Sequence, residues 1–145
     1  MRFVSTDAAP ISCTQLRDAL VATSHEYSVE VDDTAAGVAY AGAPIAHIEI
    51  NMPGDGIFDE EREELIEFAR AAVGDDAEKA RVLSALETMT TIVAVQVLVG
   101  TGDTETTLVR LDPLWAWLFD NRSGLLHAGG EGYYDRRHLL LKVRS

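Results

Sequence analysis

Hydrophobic and polar positions alternate through residues 27–32, YSVEVD. Tyr27, Val29 and Val31 oppose Ser28, Glu30 and Asp32. A period of two marks a strand with one buried face. The stretch AGVAYAGAPIAHIEINM continues this pattern in two more strands around a turn at Gly42 and Ala43. In the second of them Ala46, Ile48, Ile50 and Met52 face one way, and Ile45, His47, Glu49 and Asn51 the other. The pattern predicts a three-stranded antiparallel meander with one greasy face and one polar, acidic face. TIVAVQVLVG, residues 91–100, is rich in β-branched residues and barely alternates, which predicts the central, most buried strand. RFVS at 2–5 reads as a short first strand, and residues 125–128 and 138–143 as the last two.

Between these runs the spacing changes to that of helices. Ser12 with Gln15 forms a capping box, Ile11 and Leu16 a hydrophobic staple. Cys13, Leu16 and Leu20 share one face of the helix that follows, which ends near residue 22 or 23. NMPGDGIF is a turn cluster, after which Asp59 caps a helix with an acidic first turn. Leu65, Ile66, Ala69, Ala72 and Val73 form its apolar stripe, and Gly74 stops it. Asp75 with Glu78 opens another helix, residues 77–87, and residues 100–105 read as a loop. The helical pattern at 106–123 contains Pro113. Asp112 is a good cap and proline suits a first turn, which predicts a helix that begins at Pro113 or a short one that breaks there. Gly124 ends it.

These elements predict one α+β domain over residues 1–145. Its sheet is mostly antiparallel, of five or six strands, with helices packed mainly on one face. At 145 residues and 47% hydrophobic content, the chain is long enough to bury a core without metals or disulfides. The single cysteine, Cys13, cannot form an internal disulfide. With no apolar leader at the N-terminus, that favours the reducing cytoplasm. The longest apolar run, 92–99, is too short to span a bilayer. A net charge of −12 repels the phosphate backbone and anionic lipid, so neither nucleic acid nor membrane is an expected partner.

The stretch GLLHAGGEGYYD, residues 124–135, raises the question of a site. No GxxxxGK[ST] or GxGxxG is present, and the glycines lead from a strand into another strand, so no helix N-terminus is aimed at a phosphate. The plain reading is a bulged hairpin with glycines at positive φ. His127, Glu131 and Asp135, with Tyr133 and Tyr134, also supply side chains for acid–base work. Alternation puts Tyr133 and Tyr134 on opposite faces. His47 and Glu49 share a strand face at a two-ligand spacing, with His25 and Glu30 on neighbouring segments. Zinc needs three or four ligands, so no metal and no cofactor is expected. Asp55 and Asp59 lack a calcium-loop pattern and serve turn and cap duties. Cys13 sits where a helix dipole lowers a thiol pKa, but its apolar face-mates read as burial.

In the helix around residues 108–120, Leu108, Leu111, Leu114, Trp115 and Leu118 form a stripe with Phe119 at its margin. Trp117 falls off the stripe, near Arg110, where it is either covered by another element or exposed as an anchor for a partner. Small size, strong acidity and an α+β layout resemble small acidic secretion chaperones and related binding domains, although no motif carries the resemblance. With no catalytic constellation but plausible binding surfaces, the sequence favours a non-catalytic binding or adaptor domain. It would act as a homodimer or with another protein, through Trp117 and Arg110. The alternative is a small enzyme or ligand-binding protein built on the 127–135 segment or on His47 and Glu49. Convergence of His47, Glu49, His127 and Glu131 in one pocket favours the alternative.

Overall fold

The computed structural model describes residues 1–98, 100 and 103–143. Val99, at the end of the apolar run, and positions 101 and 102 of the expected loop lie outside the described residues. The elements are β1 (Arg2–Ser5), α1 (Cys13–Thr23), β2 (Tyr27–Asp32), β3 (Ala35–Tyr40), β4 (Ala43–Asn51), α2 (Phe58–Ala71), α3 (Asp76–Thr88), β5 (Thr91–Val97), α4 (Thr104–Asn121), β6 (Gly124–Ala128), β7 (Gly132–Tyr134) and β8 (Leu139–Lys142). The strands form one antiparallel sheet in the order β2-β3-β4-β5-β1-β6-β7-β8.

The α+β class agrees with the sequence reading, but the sheet has eight strands rather than five or six. All seven segments read as strands join the sheet, and the eighth, β7, is only three residues long and opened by a glycine. The helices also cover both faces rather than mainly one. Neighbouring residues along the central strands point into different cores. Phe3, Val93 and Leu126 join Leu16, Leu20, Leu111 and Leu118 from α1 and α4. Val4, Ile92 and Leu125 join Leu65, Ala69, Val82 and Leu86 from α2 and α3. β1 and β5, buried on both sides, are the centre of the sheet, which is why the 91–97 run barely alternates.

Local signals hold at the first helix and fail in part at two others. Ser12 and Gln15 form the expected reciprocal cap on α1, and Ile11 and Leu16 are buried in the same cluster. Cys13 is buried, and the surrounding apolar packing, with Asp33 nearby, raises its thiol pKa. Asp75 caps α3 through the Glu78 N–H. The N-cap position of α2 is Ile57, not Asp59, and Asp55 before it accepts at Oδ1 from the N–H groups of Ile57 and Phe58. Asp59 lies in the first turn and pairs with Arg62. The stripe of α2 ends before Val73, which lies beyond the helix and is exposed.

α4 runs unbroken from its cap at Asp103 through Pro113. Proline there lacks the N–H that would reach the carbonyl of Val109. Val109 is on the exposed face, so water can satisfy that oxygen, while Leu111, Leu114, Trp115 and Leu118 hold the helix on the sheet from the other side. Among the described residues no helix is long and apolar enough to cross a membrane.

Candidate functional site

The register of the sheet places one row of residues across its full width. Asp32 pairs with Ala35, Ala35 with Glu49, and Glu49 with Ala94. Ala94 pairs with Arg2, Arg2 with His127, His127 with Tyr133, and Tyr133 with Leu141. All face the side on which α2 and α3 pack. A second row, Glu30, Gly37, His47 and Gln96, runs beside it. α2 covers only part of this face, so the polar half of the meander stays open next to it.

A cleft of about 490 Å³ forms where the open half meets α2. His47 and Glu49 line one side, with His47 Nε2 3.7 Å from Glu49 Oε1. Ala94, Gln96 and Arg2 lie between the sides, and His127, Phe68 and Glu64 form the other. Glu49 and His127 are separated by three strand spacings, or about 14 Å, so they face one another across the cleft without touching. An apolar slot of about 210 Å³ adjoins it. Phe68, His127 and Gly129 border both spaces, and Ala71, Ala72, Gly130 and Val143 complete the slot.

Each wall is fixed from below. The Phe68 ring stacks on His127 with centroids 5.5 Å apart and planes 12° apart, and Tyr133 lies against the imidazole at 4.7 Å. The Tyr133 hydroxyl donates to the carbonyl of Leu65, tying α2 to β7. Arg2 Nε lies 3.3 Å from Glu61 Oε2 and its Nη2 3.6 Å from Glu64 Oε1. Glu61 also accepts from the Asn51 amide at 2.9 Å. Burial raises the Glu61 pKa against the pull of Arg2. His127 is buried, which lowers its pKa to about 4. Arg2 and the amino group of Met1 push the same way, and Glu64 opposes them. At neutral pH His127 is therefore an uncharged hydrogen-bonding group.

Of the four side chains whose convergence mattered, His47, Glu49 and His127 line one cleft and Glu131 does not. Glu131 lies on the α4 side, where its carboxylate accepts from Tyr134 at 3.3 Å. Tyr133 and Tyr134 enter opposite cores, as alternation requires. Asp135 closes a turn by accepting from the N–H groups of Arg137 and His138, and pairs with Arg81. Its burial works against those contacts, but they prevail and hold its carboxyl below the ordinary value. Glu30 shares a separate hollow with His47, whereas His25 is exposed beside Glu26. Among the described residues no group of three or more His, Cys, Asp or Glu side chains could hold a metal.

Trp117 is half-buried against the core of α1 and α4, with the Arg122 guanidinium 5.4 Å from its ring. Arg110 lies over Tyr40 at 4.2 Å, and its backbone carbonyl accepts from the Tyr27 hydroxyl. Sequence reasoning missed Phe68, Arg2 and Glu64. The available signal was, for Phe68, an aromatic residue outside the stripe of α2.

The chain matches no family model, no curated protein and no solved structure.

Proposed function

We propose that this protein binds a small amphipathic molecule in the cleft beside α2. Its polar head would lie among His47, Glu49, Gln96 and His127, and a short apolar arm would enter the slot behind Phe68. The observation that carries this reading is the convergence of His47, Glu49 and His127 on one concave space continuous with an apolar one. Recognition sites for small molecules combine mostly apolar walls with a few placed polar groups, in volumes of about 300–1,000 Å³. A binding role is favoured for His127 itself, because burial lowers its pKa to about 4 and makes it a weak base at neutral pH. The adaptor reading rests on Trp117 and Arg110, and both already engage groups of their own chain.

Calorimetric titration with hexanol, hexylamine and hexanoate tests the proposal. At least one should bind saturably, and the Phe68→Ala and His127→Leu variants should lose that binding while Trp117→Ala keeps it. Absence of binding by all three, or loss only in Trp117→Ala, would contradict it.

A further inference from the structure

The part of the 127–135 segment that the cleft leaves out faces a second cavity, on the opposite side of the sheet. It has a volume of about 410 Å³ between α4 and the β6–β7 hairpin. Trp115, Phe119 and Tyr134 line it, together with Asp112, Glu131 and Arg136. Arg136 is paired with Asp120, so its charge is already met. Among the described residues neither Asp112 nor Glu131 has an ion-pair partner, whereas Asp135, also at the cavity, pairs with Arg81. Guanidinium groups of the protein lie over Phe58, Tyr40 and Trp117, but among the described residues none lies over Trp115, Phe119 or Tyr134. The cavity thus combines aromatic rings with two carboxylates that have no ion-pair partner among the described residues; of the cations that border it, Arg136 is held by Asp120 and the amino group of Met1 donates to the carbonyl of Val95.

We infer that this cavity is a binding site for a small organic ammonium ion with a trimethylammonium-type head. Such an ion is weakly hydrated and bulky. The quadrupole of aromatic rings attracts it, and it needs no hydrogen-bond acceptor at close range. Asp112 and Glu131, at the exposed margin, supply the net attraction, while Trp115 and Phe119 exclude water from one side of the head. Tyr134 is positioned by its own hydroxyl, which donates to Glu131. The site lies on the other face of the sheet from the cleft beside α2, and of the lining residues only Met1 borders both.

Trp115 reports on the site directly. In a Trp117→Phe background it is the only tryptophan, and choline should change its emission saturably. The neutral isostere 3,3-dimethylbutan-1-ol should bind at least about tenfold more weakly. Glu131→Gln and Asp112→Asn, both at exposed positions, should each weaken choline about fivefold with the fold intact. Phosphatidylcholine vesicles should not sediment the protein, since the head must enter a cavity rather than meet a surface. Equal response to choline and the alcohol, no saturable response to choline, unchanged affinity in both variants, or sedimentation with vesicles would each overturn the inference.

Discussion

The ring of Phe68 lies parallel to the imidazole of His127 and forms the partition between a polar cleft and an apolar slot. Phe68 is itself 45% exposed, so it shields His127 more than it supports the core. Phe68→Ala should therefore cost only about 1–2 kcal/mol of stability. It should let water reach the imidazole and raise the His127 pKa from about 4 by roughly one unit. Titration of the His127 ring protons by NMR measures this. An unchanged pKa would mean that other groups, not this ring, keep the imidazole dry.

The same histidine sets a pH dependence. Above about 6.5 it is neutral in both the folded and the unfolded chain and contributes no slope. As pH falls, the unfolded chain takes up a proton that the folded chain refuses until about pH 4. Stability should drop across that window by roughly 3 kcal/mol at most. Glu61, whose pKa the fold raises, works in the opposite sense in the acid range. The comparison is therefore between the parent and His127→Leu, by urea denaturation at several pH values. The variant should be flatter between pH 6.5 and 4, and equal slopes would contradict the assignment.

Gly132 should be irreplaceable where Gly129 is not. A Cβ at Gly132 would lie 1.9 Å from the carbonyl oxygen of Leu141, at a φ of +141°. One at Gly129 meets nothing within 4 Å. Gly132→Ala should destabilise by roughly 3 kcal/mol or more, and Gly129→Ala by about 0.5 kcal/mol or less. Comparable denaturation midpoints for the two variants would mean that β7 and β8 are not packed as described.

What could be read from the sequence was local. The shared face of His47 and Glu49 follows from the period of a strand, and the Ser12–Gln15 cap from a four-residue motif. The cleft depends on register between distant segments. Arg2 pairs with Ala94 on one side and His127 on the other, and no local pattern specifies that β1 inserts between β5 and β6. Placing a strand there brings His127 into line with Glu49. It also gives the central strands two buried faces, so helices are needed on both sides. The passage of α4 through Pro113 was illegible for a related reason: proline's local cost is set against long-range burial of Leu111, Leu114 and Leu118. Within residues 127–135 alternation separates Tyr133 from Tyr134 already in the sequence, but it does not say which face His127 or Glu131 joins. His127 and Tyr133 lie on one face and Tyr134 on the other, while Glu131, in the turn between β6 and β7, borders the cavity on the Tyr134 side.

In the proposed function, His47, Glu49 and His127 work as one binding site with the slot behind Phe68. Mapping amide and imidazole chemical shifts during titration with the tightest-binding of the three six-carbon amphiphiles tests it most directly. His47, Phe68, His127 and Gly129 should shift together along a single saturation curve, while Trp117 and Arg110 stay in place. Shifts confined to Trp117 and Arg110, or His47 and His127 responding with different affinities, would contradict it.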